Sequence, residues 1–71
     1  MNKNSITLSI YDGSEGMECI VYKNGYVNIK TIHNGGIESE IDVDIECFEF
    51  ETPEELIADL INQGYKIEQW T

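Results

Sequence analysis

Seventy-one residues leave room for a single domain, 1–71, with one small core. Fourteen acidic residues against four lysines give a net charge of −10 and a pI near 4.1. That balance repels nucleic acid and anionic lipid and favours basic surfaces. A hydrophobic share of 41% is too high for a disordered acidic tail, and no apolar run is long enough to span a membrane.

The opening Met1-Asn2-Lys3-Asn4-Ser5 lacks the apolar core of a signal peptide, which predicts a cytoplasmic protein. Residues 5–11 alternate, with Ile6, Leu8 and Ile10 on one face and Ser5, Thr7, Ser9 and Tyr11 on the other, the period of a half-buried strand. A turn cluster, Asp12-Gly13-Ser14-Glu15-Gly16, leads to a second strand over residues 17–23. Asn24-Gly25 then predicts a two-residue hairpin turn, because both turn positions of that type need positive φ. This turn pairs Tyr22 with Val27 and Ile20 with Ile29, leaving Cys19, Val21, Tyr26, Asn28 and Lys30 on the other face. At Asn34-Gly35-Gly36 a three-residue loop is expected. It sets His33 opposite Ile37, Ile29 opposite Ile41, Lys30 opposite Glu40 and Asn28 opposite Asp42.

Residues 37–50 carry the most informative pattern. Ile37, Ile41, Val43 and Ile45 alternate with Glu38, Glu40, Asp42, Asp44 and Glu46, so one face is apolar and the other is a rail of carboxylates. Alternate strand residues lie about 6.7 Å apart, roughly twice the ~3.4 Å rise per nucleotide of a DNA strand. Neighbouring charges at that spacing repel by about 0.6 kcal/mol in bulk-water dielectric. After Ile45 the phase switches to Phe48 and Phe50, which predicts a bulge near Glu46 and Cys47 in one long bent strand.

Thr52-Pro53-Glu54-Glu55 is a helix start, with Thr52 as cap, Pro53 at the first helical position and Glu55 completing a capping box. Leu56, Ile57, Leu60 and Ile61 form an apolar stripe, and Gly64 ends the helix. Residues 65–70 read as a short final strand. The predicted fold is α+β: an antiparallel four-stranded β-meander with one α-helix packed on one face and a short C-terminal strand at a sheet edge.

Cys19 and Cys47 show neither zinc-ligand spacing nor a disulfide framework and read as two reduced, packed thiols. The single histidine, His33, falls at a glycine turn with no marked catalytic or metal partners, and Glu54 and Glu55 are explained by the helix dipole. Asp42, Asp44 and Glu46 lack the glycine-bearing loop of a calcium hand. No enzyme activity, cofactor or metal is expected, and with no basic patch, no direct nucleic-acid binding.

The rail has two explanations. It is a solvated face that deters edge pairing, or a surface for a lysine- and arginine-rich protein in which each carboxylate stands for a phosphate oxygen. On the second reading Glu38, Glu40, Asp42, Asp44 and Glu46 bind the partner, Glu49 and Glu51 extend the rail past the bulge, and Tyr26 is an anchor, with Trp70 a second candidate.

Val21-Tyr22-Lys23-Asn24-Gly25 and Phe50-Glu51-Thr52-Pro53-Glu54-Glu55-Leu56 resemble one type of small phage-encoded anti-CRISPR protein, with its hairpin and Phe-x-Ser/Thr-x-Glu helix start. The two stretches cover 12 of the 71 residues. The acidity is similar to that of DNA-mimic inhibitors. The resemblance implies a protein acting in a bacterial cell during phage infection, occupying the nucleic-acid site of a host nuclease complex such as a CRISPR effector. With only Lys3, Lys23, Lys30 and Lys66, the chain departs from members that make their contacts through lysines. An immunity protein for a basic toxin fits the same electrostatics, and a small host interaction domain, monomeric or dimeric through a sheet edge, is the third reading.

Overall fold

A computed structural model describes residues 4–70, with side chains described as far as Glu68. β1 (Ser5–Asp12), β2 (Glu15–Tyr22), β3 (Tyr26–His33), β4 (Gly36–Asp44) and β5 (Lys66–Trp70) form one antiparallel sheet in the order β4-β3-β2-β1-β5. One helix, α1 (Pro53–Asn62), packs against β2. The fold is therefore α+β, a four-strand meander whose C-terminal strand joins the β1 edge.

Alternation builds the core. Ile6 and Leu8 stand opposite Val21 and Cys19; Val21 and Cys19 in turn face Val27 and Ile29 on β3. Leu56 and Leu60 of α1 close over this face, and Ile45 completes it. Full burial of each such aliphatic side chain contributes about 1.5–3 kcal/mol. Thr52 caps the helix by accepting the Glu55 N–H at 3.4 Å, and Pro53 occupies the first turn. The Glu55 carboxylate accepts from the Glu51 N–H at 3.5 Å, so the returning half of the capping box lands one residue early. Gly64, at φ 108, turns the chain back towards β5.

Both later hairpins differ from expectation, and the differences compensate. Val21 pairs with Val27 and Cys19 with Ile29, so Lys23-Asn24-Gly25 is a three-residue loop and the predicted Tyr22–Val27 register is corrected by one residue. Only Gly25 in this loop has positive φ, at 95°. Its backbone is held from both sides: its N–H donates to the Tyr22 carbonyl at 3.0 Å, and its carbonyl accepts from the Ile45 N–H at 2.9 Å. The shift carries Cys19 and Val21 into the core and sends Ile20 and Tyr22 to the opposite face. At the next corner Asn34 and Gly35 both have positive φ, 53° and 78°, and make a two-residue turn between His33 and Gly36. The expected three-residue loop is absent. A bulge at Glu38 restores the pairing, so Ile29–Ile41, Lys30–Glu40 and Asn28–Asp42 stand opposite one another as expected, while Ile32 pairs with Ile37.

β4 stops at Asp44, and the predicted bent strand is replaced by a 3₁₀ turn, Ile45–Phe48. The Asp44 carboxylate caps it by accepting the Glu46 N–H at 3.0 Å. This turn folds Ile45 under Gly25 and brings Phe48 and Phe50 against the core. β4 is left at the sheet edge, beyond the helix: Val43 is half-buried, but Ile37 and Ile41 are 60% and 54% exposed and do not join the core. Cys47 is also exposed, contrary to expectation, whereas Cys19 is buried; both are free thiols.

Two consequences of this packing are testable. Tyr11 lies over Gly16, where an added Cβ meets the Tyr11 ring and stands 2.5 Å from the Ile10 carbonyl oxygen. Gly16→Ala therefore forces a backbone shift and lowers stability by about 1–3 kcal/mol in urea denaturation.

Burial raises the Cys19 thiol above its ordinary 9.0; a hydrogen bond from Tyr65 pulls it partly back and the Glu18 carboxylate adds to the rise. Burial likewise raises Tyr65 above 10.0, with Cys19 adding to the shift. Both groups hold their protons more tightly when folded. Their contribution is fully present below 9.0 and is lost as pH climbs through the folded values. The denaturation midpoint falls from neutral pH to about pH 10, and falls less in Cys19→Ala.

Candidate functional site

The face of the sheet opposite the helix carries the charged residues. Along its outer side, Tyr26 faces Asp44, Asn28 faces Asp42 and Lys30 faces Glu40. Glu40, Asp42 and Asp44 occupy alternate positions on β4 and all three are exposed.

All three carboxylates are held, Asp44 by the Glu46 N–H that it caps and the other two by Asn28. Asn28 is only 7% exposed, and its Nδ2 donates to Glu40 Oε2 at 2.8 Å and to Asp42 Oδ1 at 2.9 Å. One amide thus bridges neighbouring carboxylates that would otherwise repel each other. Lys30 Nζ donates to Asn28 Oδ1 at 2.9 Å, fixing the orientation of the amide. The same ammonium lies 3.8 Å from Glu18 Oε1 and 3.9 Å from Glu40 Oε2. A fully satisfied network of this kind fixes side-chain positions before any ligand arrives.

The other proposed site residues are distributed unevenly. Glu38 is the extra residue of the bulge and lines an open groove of about 570 Å³ at the end of the sheet, with Ile10, Met17 and Thr31 of the helix-bearing face and Tyr11, Gly16 and Ile32 of the other. Asp44, Glu46 and Glu51 line a separate hollow of about 420 Å³ with Asn24 and Phe50, so the acidic track turns the corner of the sheet with the 3₁₀ turn. Glu49 is exposed in the left-handed conformation at the end of that turn. Tyr26 is exposed beside Asp44. The side chain of Trp70 lies outside the described residues.

Asn28, Tyr22 and Glu18 belong to this face, and sequence reasoning did not single them out. Asn28 opposite Asp42 was visible from the register, but its reach to Glu40 depends on side-chain geometry. The two-residue turn expected at Asn24-Gly25 puts Tyr22 on the core face; the observed register turns it to this one. His33 is a surface residue whose Nδ1 sits 2.6 Å from Glu15 Oε1, and Glu15 also accepts from the Asn34 N–H at 3.2 Å, which ties two turns together. Among the described residues no group of three or more His, Cys, Asp or Glu is arranged to hold a metal ion, and no helix is long and apolar enough to cross a membrane.

No family model, curated protein or solved structure matches this chain.

Proposed function

We propose that this protein is a non-enzymatic inhibitor that binds a basic, nucleic-acid-handling protein through the edge-strand carboxylates Glu40, Asp42 and Asp44. The observation that carries the reading is the Asn28 bridge: a buried amide spends both its hydrogens on holding two exposed carboxylates at fixed spacing. A face that only kept the chain soluble would work as well with mobile side chains. Asp44 continues the track to Glu46 and Glu51 around the corner, and Glu38, at the bulge, contributes through long-range attraction. Tyr26 supplies an aromatic contact next to Asp44.

The similarity of the hairpin and helix start to anti-CRISPR proteins favours a CRISPR effector as the partner, in the cytoplasm of an infected bacterium. Self-pairing of two β4 edges would bring their carboxylate-bearing faces together, which favours a monomer. Affinity capture from a bacterial lysate at low and high salt tests the proposal. The wild-type chain retains a basic nucleic-acid-handling protein at low salt and loses it as salt rises. Equal retention at both salt levels, or by a chain lacking the three carboxylates, would refute it.

A further inference from the structure

The corrected register places Tyr22 on the carboxylate face, two positions beyond Ile20, which stands opposite Asn28. Tyr22 and Tyr26 flank the three-residue loop, and with Asn24 and Asp42 they line an open recess of about 360 Å³. We propose that this recess is the seat for one arginine side chain of the partner. The inference rests on the reading of β4 as a cation-binding face and specifies the chemistry of its contact.

Three features select a guanidinium. Tyr22 and Tyr26 remain 37% and 56% exposed, large values for aromatic side chains in a small sheet, and their rings offer faces on which a planar cation can stack. Asp42 supplies the charge, and Asn28 already holds it by Oδ1, so its carboxylate is oriented in advance. A guanidinium satisfies ring and carboxylate together because it is flat and carries its donors in a fork; an ammonium acts as a point charge and satisfies one at a time.

Among the described residues no lysine fills the seat. Neither Lys30 nor Lys23 lines the recess, and Lys30 is engaged by Asn28, Glu18 and Glu40. The four basic residues of the sequence are all lysines, so a second copy of this chain cannot provide the arginine.

The test uses two probes of equal length, an oligo-arginine and an oligo-lysine peptide, titrated at low salt into the full chain and followed by calorimetry and by the tyrosine ring resonances. The wild-type protein binds the arginine peptide about fivefold more tightly, with shifts at the Tyr22 and Tyr26 rings. A Tyr22→Leu/Tyr26→Leu double variant still binds both peptides but loses the preference. The Tyr22→Phe/Tyr26→Phe variant keeps its rings and its preference, which separates stacking from the hydroxyls and controls for folding. Equal binding of the two peptides by the wild-type chain, or a preference that survives in the leucine variant, overturns the arginine seat and leaves the cation-binding face standing. Failure of both peptides to bind the wild-type chain overturns the seat and the cation-binding face together.

Discussion

Replacing Glu40 with Gln and Asp42 and Asp44 with Asn abolishes partner binding and leaves the fold intact. The amide oxygens of Gln and Asn still accept hydrogen bonds, so the loss is confined to the charge-assisted part of each contact. If that part is about 1 kcal/mol per residue, three substitutions cost roughly 3 kcal/mol, about a hundredfold in affinity. Loss of long-range attraction slows association as well.

Stability responds differently. Asn28 Nδ2 can still donate at positions 40 and 42, and Lys30 keeps Glu18 at 3.8 Å after its 3.9 Å neighbour Glu40 is neutralised. Repulsion along the strand also falls. Urea denaturation of the variant therefore shows a midpoint close to that of the wild type, and a pull-down shows little captured protein. Undiminished capture by the triple variant would mean that the face serves solubility alone.

The two Asn-Gly pairs show how much of this geometry the sequence discloses. Both are strong hairpin signals with the same two residues, yet they make different turns. Gly35 has open space around it, and Asn34-Gly35 adopts the two-residue turn that its composition favours. Gly25 is covered by Ile45, whose side chain lies 3.6 Å from where a Cβ would stand. That contact comes from the 3₁₀ turn twenty residues later in the chain. Nothing local at Asn24-Gly25 announces it.

β2 compounds the ambiguity, because Met17, Cys19 and Val21 form one apolar set and Ile20 with Tyr22 another. Either face satisfies a hydrophobic pattern, so the pattern does not fix the register. β1 and the part of β4 beyond the bulge, residues 39–44, are different: their opposite faces are plainly polar, and their sides are legible. The end of β4 was hidden because alternation runs on past Ile45, while the capping bond from Asp44 stops the strand.

The bulge and the 3₁₀ turn bear directly on the site. The run Glu40, Asp42 and Asp44 was readable from periodicity alone, and its opposition to Asn28 and Lys30 held because a second irregularity, the bulge at Glu38, restored the expected pairing. Glu38 and Glu46 were drawn onto the same line by a pattern that ignores both the bulge and the 3₁₀ turn. A straight ladder of acids thus becomes a short clamped segment that continues around a corner. It offers two directions of contact where a straight strand offers one.

Asn28→Asp destabilises the domain by about 3 kcal/mol at neutral pH, the scale expected when a buried charge lacks adequate compensation. The substitution removes the two hydrogens that Asn28 donates at 2.8 and 2.9 Å and sets a third carboxylate against Glu40 and Asp42. Lys30 offsets part of the cost through its 2.9 Å contact with the side-chain oxygen at position 28, but it is already shared with Glu18 and Glu40. Burial and like charge both favour the protonated form of the new aspartate, so its folded pKa lies above the unfolded value. A raised pKa contributes stability that is present at low pH and lost as pH climbs through the folded value. Lowering the pH from neutral to about 4.5 therefore narrows the gap between this variant and the wild type, as urea denaturation at the two pH values records. A gap that stayed constant with pH would show that the new carboxyl titrates alike in the folded and unfolded chain, and would overturn the account of position 28 as buried against Glu40 and Asp42.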